Sequence, residues 1–382
     1  MSRMFPIPFN RPCFIGNEQV YIVQSIANGH ISGDGPFTRK CEAFLAEALR
    51  AKRVLLTTSC THALEIAGIL LQLAPGDEVI VPSFTFVSTA NAFALQRARP
   101  VFADIRPDTL NIDERAIESL ISPRTRAIVP VHYAGVGCDM DTILEIAKRN
   151  DLVVIEDNAH GLFGRYKGQF LGTFGRLATQ SFHETKNFSC GEGGALIIND
   201  LEFLERAEIV REKGTNRSRF FRGQIDKYTW VDFGSSYVMS DILAAYLFAQ
   251  LEAHQLIQAR RQRIWNYYYE GLREWAHNQG VRLPFVPQFC DQSYHMFYLL
   301  FPSERDRDEM INYLKSHGIL SVFHYQPLHL SPMGQRFGGK PGDCPVTEQV
   351  SRTLLRLPLY NDLSETVQEY VVEIVSKFNT GS

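Results

Sequence analysis

Through the first 200 residues, short β-branched runs alternate with stretches whose apolar residues recur at spacings of three and four. No other feature constrains the fold as strongly. Strands separated by helix-length segments join as βαβ units, which build a largely parallel sheet covered by helices. Residues 53–57, 78–81, 100–103, 127–131 and 152–156 read as strands, and 61–73 and 140–150 as amphipathic helices. The fold class is α/β. A further helix is expected at 201–213 and a long helical region at 240–272. Beyond it, 295–301, the helix-like 305–317 and 321–325 read as a smaller α/β unit ending in a helix from Ser364. The boundary is expected near 245, giving a large domain over 1–245 and a small one over 246–382.

With 45% apolar and 21% charged residues in a chain of 382, composition matches a folded globular enzyme or binding protein. Lys plus Arg (39) nearly balances Asp plus Glu (42), and a net charge of −3 offers no long-range attraction for nucleic acid or an anionic membrane. Any phosphate must therefore be bound locally. Seven scattered cysteines, at 13, 41, 60, 138, 190, 290 and 344, contain no Cys-x-x-Cys pair. They argue against a disulfide framework or a zinc site, and for a reducing compartment. Three prolines interrupt the opening MSRMFPIPFNRP, so no secretion signal is expected, and the richest apolar stretch, 64–73, is too short to span a bilayer. A soluble, cytoplasmic protein is expected.

Four motifs carry chemistry. TTSCTHALE (57–65) follows a strand and opens a helix; its hydroxyls and amides suit either an ordinary N-cap or a phosphate. In VVIEDNAHG (153–161) an apolar strand ends in Glu156 and Asp157, at the sheet edge where ligands of parallel sheets sit; helix capping by Asp157 is the plainer alternative. His160 lies three residues on, where it could face the same crevice or simply pack. QSFHETKNFSCGEGGA (180–195) leads a strand-like start into Lys186 and then a glycine-rich turn. A lysine held in a crevice becomes a Schiff-base nucleophile, whereas one on a hairpin loop is merely exposed. PSFTFVSTAN (82–91) sets Phe84 and Phe86 after a strand, for stacking on a flat ring or for the core. Together these supply a phosphate cup, a stacking ring, an acid for a ring nitrogen and an amine, the parts needed for pyridoxal 5'-phosphate (PLP) chemistry.

With these motifs in order, the chain resembles the DegT/DnrJ/EryC1/StrS sugar aminotransferases, from SGDGPFTRKCE (32–42) to HYQPLH (324–329). The resemblance implies a fold type I PLP-dependent transferase, with a mainly parallel seven-stranded sheet in the large domain and a smaller C-terminal α/β domain. It implies that Lys186 bonds the cofactor and later shuttles a proton, and that Asp157 keeps the pyridinium nitrogen protonated. Phe86, rather than Phe84, matches the stacking position. Cys60 and Thr61 match the phosphate cup, Ser181 a hydroxyl donor to it, and His160 the Gln or His near the ring hydroxyl. Many relatives supply a partner-subunit Asn from Gly-x-Asn-Tyr-Arg-Met; this chain has Gly234, Ser235, Ser236, Tyr237, Val238 and Met239, so Ser236 is expected to take that contact across a homodimer interface.

PVHYAGV (130–136), SFHETKN (181–187), EKGTNRSRFFRGQIDKYTW (212–230) and LLRLPLY (354–360) are closest to the branch making dTDP-4-amino-4,6-dideoxygalactose for enterobacterial common antigen. The implied substrates are L-glutamate and dTDP-4-keto-6-deoxyglucose, and the implied by-product is 2-oxoglutarate. Tyr325 and His329 match positions facing the sugar; with Pro327 between them they do not suit a helical metal pair, and no metal is expected. Arg217, Arg219, Arg222 and Lys227, interleaved with aromatics, form either a diphosphate site or a solvated loop. The alternatives within the fold are another epimer, a C3 ketosugar or a UDP substrate. A sugar dehydratase would carry His in place of Lys186, and a non-catalytic PLP-binding regulator would not need the amine.

Overall fold

The computed structural model describes residues 7–381; the first half of the proline-interrupted opening lies outside them. The strands are β1 (Arg53–Thr57), β2 (Glu78–Pro82), β3 (Arg99–Ala103), β4 (Thr125–Ile128), β5 (Val153–Asp157), β6 (Arg165–Tyr166), β7 (Gln169–Phe170), β8 (Leu177–Ser181), β9 (Gly194–Ile198), β10 (Cys290–Asp291), β11 (Phe297–Leu300) and β12 (Leu354–Leu357). Seven of them form the central sheet in the order β1-β9-β8-β5-β4-β2-β3. β9 alone runs antiparallel to its neighbours.

The period of two along each strand decides what it packs against. Val79 and Val81 of β2 turn to the face covered by α3 (Cys60–Leu70) and α4 (Val87–Ala94), among Ile66, Phe93 and Ile155. Ile80 turns to the opposite face with Ile128 and Val154, against α5 (Glu114–Leu120) and α6 (Met140–Arg149). Both faces are buried, so these strands read as continuous apolar runs. At the β1 end, Val54 and Leu56 pack under α2 (Pro36–Leu49) and α9 (Asp241–Glu252), with α1 (Asn17–Ala27) packed on α9 and α7 (Leu204–Arg211) and α8 (Arg217–Phe221) leading into α9.

The expected helical region at 240–272 is two helices. α9 ends at Glu252 and α10 (His254–Asn278) begins after Ala253. The break separates two cores: Ala244 to Ile257 pack beside β1, whereas Ile264 to Ala276 pack with β11, β12, α11 (Glu304–Ser316) and α14 (Glu365–Ser376). The expected division at 245 falls inside α9. Residues 321–325 form no strand; they make one isolated bridge, Val322 to Arg356 of β12, and then a left-handed turn at Tyr325 (φ 42°). α12 (Pro332–Arg336) and α13 (Pro345–Thr353) complete the chain. A seam of Phe84, Tyr133, Met296 and Tyr298 joins the central sheet to the two-stranded sheet of β11 and β12. Among the described residues no helix is long and apolar enough to cross a membrane.

Candidate active site

A cavity of about 600 Å³ opens beyond the carboxyl ends of β1, β2, β5 and β8 and is closed from the C-terminal part of the chain by Met296, Tyr325 and Arg356 of β12. Ligands of open parallel sheets sit at this edge, because the loops there converge.

The turn after β1 makes the first wall. Ser59 caps α3 by accepting from the His62 amide at 3.1 Å, which leaves the amides of Cys60 and Thr61, the first of an 11-residue helix, without intrahelical acceptors. Thr61 Oγ1 lies 2.8 Å from Ser88 Oγ, and Ser181 at the end of β8 faces the same space. Gly194 of β9 packs so closely that a Cβ would collide with the backbone of Ser59 and Cys60. Free amides, hydroxyls and the positive end of the helix make a cradle for an anion.

The end of β5 supplies the acid, and strand alternation sorts its two carboxylates. Glu156 turns away from the cavity, fully buried, accepting from the amides of Gly172, Phe174 and Gly175 at 2.7 Å each and meeting His132 at 2.8 Å. It holds the loop. Asp157 turns into the cavity and accepts from Thr89 Oγ1 at 2.7 Å and the Ala159 amide at 3.1 Å. Burial pushes its carboxyl above the usual range, while those two donors and the Lys186 charge pull it back.

Lys186 sits on the hairpin between β8 and β9, whose turn is tightened by the Lys186 amide donating to His183 O and by Gly191 at φ 85°. The hairpin loop is curled inward, so its lysine lines the cavity instead of facing water. Burial lowers the amine to about 8, with the Asp157 charge opposing that shift. Among the described residues Lys186 makes no ion pair.

His160, 6% exposed, stacks on His295 with ring centroids 4.3 Å apart, and its Nδ1 has no partner. Burial holds His160, His295 and His324 well below the usual histidine range, so all three are neutral at physiological pH. Phe86 is 57% exposed at the cavity mouth, 6.4 Å from Tyr325, whereas Phe84 is buried in the seam between the sheets.

Cys60, Thr61, Phe86, Asp157, His160, Ser181, Lys186 and Tyr325 thus line one cavity. Three expected residues lie elsewhere. His329 is fully buried, its ring held by Ser83 at 2.6 Å and Glu348 at 3.1 Å. Arg219 is exposed and pairs with Glu205, while Arg217 and Arg222 pair with Glu212 and Glu208. Ser236 is exposed on a bridge to Glu212. Four lining or supporting residues were not singled out from sequence: Thr89, His295, His324 and Arg356. Arg356 stood in plain view in LLRLPLY, a lone charge in an apolar strand.

An anion cradle, a buried acid and a desolvated lysine at the edge of this sheet define a PLP-dependent aminotransferase of fold type I. The chain belongs to the DegT/DnrJ/EryC1/StrS aminotransferase family, whose pattern it matches over residues 12–376. It is 34% identical to the spore coat polysaccharide biosynthesis protein SpsC of Bacillus subtilis, over 98% of both chains. The aminotransferase TlmJ of Streptoalloteichus hindustanus superposes with a TM-score of 0.89 at 31% identity, covering 97% of this chain and 98% of that one. Spr1654 of Streptococcus pneumoniae, solved in its PLP form, superposes with a TM-score of 0.89 at 27% identity over 97% of each chain.

Aminotransferases of this family bind PLP. The residues present fit it: the unpaired Lys186 amine and the orphaned His160 Nδ1 lie around a space whose cradle takes a phosphate and whose acid takes a cationic ring nitrogen.

Proposed function

We propose that this chain is a nucleotide-sugar aminotransferase that moves the amino group of L-glutamate to C4 of dTDP-4-keto-6-deoxyglucose, giving dTDP-4-amino-4,6-dideoxygalactose and 2-oxoglutarate. The observation carrying this reading is that Lys186 and Asp157 face one cavity, share no ion pair, and have a helix N-terminus beside them. The runs PVHYAGV, SFHETKN and LLRLPLY support the choice of sugar.

PLP, when bound, supplies an electron sink for the carbanion formed at the amine-bearing carbon. Cys60, Thr61 and Ser181 would hold its phosphate, Phe86 would cover its ring, His160 would meet the ring hydroxyl, and Asp157 would keep a proton on its ring nitrogen. Lys186 Nζ is the acid and base: near pH 8 it is divided between its neutral and charged forms, so it takes a proton from the donor carbon and returns it to the sugar carbon. Tyr325 faces the sugar.

The assembly proposed is a homodimer with active sites at the interface. Trp230 and Phe233, 76% and 77% exposed, lie in the segment that carries Phe221, Tyr228 and Ser236, an apolar surface that a second copy would cover. Ser236 would then reach the partner's phosphate, and the Arg219 loop the partner's nucleotide. A cytoplasmic location and a role in enterobacterial common antigen assembly complete the proposal.

The test is an absorbance scan of the PLP-loaded protein with NMR of the product. The cofactor band is expected to bleach with L-glutamate and return with the keto sugar, and the C4 proton coupling to report the galacto epimer. Lys186→Ala is expected to stay folded and lose turnover by about 10²–10⁴-fold or more. A band that glutamate leaves unchanged would count against the donor, and one that the keto sugar fails to restore would count against the acceptor.

A further inference from the structure

A second concavity, of about 540 Å³, lies between the turn after α2 and the β6–β7 hairpin and shares no lining residue with the cavity at Lys186. It sits at the far end of the sheet. Along β1 and β9, Arg53 pairs with Ile198 beside this cleft and Thr57 with Gly194 beside the anion cradle, about 13 Å away along the strand. The volume is that of an ordinary small-molecule site.

The charge of the cleft is one-sided. The turn after α2 contributes Arg50 and Lys52, the hairpin contributes Arg165 and Lys167, and no carboxylate lines the space. Lys167 pairs with Asp141, whereas Arg50, Lys52 and Arg165 make no ion pair among the described residues. Asp200, which feels the Lys52 charge, is paired with Arg176. The basic cluster of α8 is different, since Arg217, Arg219 and Arg222 each meet a glutamate. Like charges that converge in a concavity repel one another, and an anion removes that cost.

Two of the four cations are held in place. The Arg165 guanidinium lies 4.2 Å from the centre of the Phe170 ring, its cross-strand neighbour, a contact that orders the side chain while its N–H donors find no partner among the described residues. Arg50 ends α2 in the left-handed region at φ 58°, where helices most often place glycine. What the arginine adds at that strained position is its side chain in the cleft.

We propose that this cleft binds a diphosphate group, carried by inorganic pyrophosphate or by a nucleoside diphosphate, at a site separate from the catalytic cavity. The planar fork of Arg165 takes one phosphate through paired hydrogen bonds, and Arg50 and Lys52 neutralise the other. Three unpaired cations match the roughly three negative charges of a diphosphate at neutral pH, whereas a single phosphate leaves the cleft positive. The site stands whichever sugar the catalytic cavity accepts.

The test is calorimetry on the PLP-loaded protein, with inorganic pyrophosphate as the probe. One saturable site is expected, weakening with added salt. Arg165→Gln and Lys52→Gln are each expected to weaken it at least about tenfold, the worth of a charge-assisted hydrogen bond. Arg50→Gly relieves the left-handed residue, so it should keep or raise the melting temperature and still lose affinity. Cofactor spectrum and turnover are expected to be unchanged in all three, and Arg356→Gln, on the wall of the catalytic cavity, is expected to bind pyrophosphate as the wild type does. Adenosine diphosphate separates the sources: tighter binding that the same variants remove assigns a nucleotide, and equal or weaker binding assigns the inorganic ion. No saturation by either ligand up to about 10 mM would overturn the proposal. So would equal affinity for inorganic phosphate, affinity unchanged in the three cleft variants, or a loss confined to Arg356→Gln, which would place the anion in the catalytic cavity.

Discussion

Lys186 and Asp157 carry opposite charges in one cavity and do not meet. Each feels the other, yet the two line one open cavity, and the space between them is where the cofactor ring is proposed to lie. Two consequences can be measured. In cofactor-free protein the Lys186 amine titrates near 8 instead of 10.5. Its neutral form is the nucleophile, so covalent capture of PLP should accelerate with rising pH and level off above about 8. A rate still climbing through pH 10 would mean that the amine is not desolvated. The second concerns Thr89, fully buried and donating to Asp157 at 2.7 Å. Thr89→Val should lower the unfolding free energy by about 1.5–3 kcal/mol, the worth of a hydrogen bond to a charged group, as read from denaturant curves. Little of this was legible beforehand. A lysine in a glycine-rich loop and an acid at a strand end are each commoner as surface and cap residues, and only their joint order pointed to one site. Arg356 was missed because nothing in a lone charge within LLRLPLY says which way the strand turns it.

At the scale of elements, sequence periodicity was most reliable where both faces of a strand are buried: β1, β2, β3 and β5 fall within a residue of expectation. It misled where tertiary contact overrides it. The run from 240 to 272 has no Gly or Pro at the junction Glu252-Ala253-His254, so the break that passes the chain from one core to the next leaves no signature. Residues 321–325 look extended but pair only once, because the chain must bend to bring Tyr325 over the cavity. The reversal of β9 is the element on which the site most depends, since it brings Gly194 against the first turn of α3. Gly194→Ala would push that turn away from Ser181. PLP affinity should fall at least about tenfold, the cost of one charge-assisted hydrogen bond, in a fluorescence titration; unchanged affinity would show that the cradle tolerates the shift.

For the whole molecule, the expectation of α/β architecture held, and the seven-stranded, mainly parallel sheet is as the family resemblance implied. Among the described residues nothing covers the apolar segment around Trp230 and Phe233. If a second copy provides it, sedimentation should report a dimer. Trp230→Glu with Phe233→Glu should then give monomers with unchanged circular dichroism and little turnover, whereas active monomers would dispense with the shared site. The order of the site along the chain has a temporal consequence as well. Cradle, acid and lysine are all encoded before residue 199, while Arg356 is translated on the order of ten to thirty seconds later. A nascent polypeptide still on the ribosome would carry all but Ser236 of the groups proposed to hold the cofactor before it has the wall that closes the cavity over them.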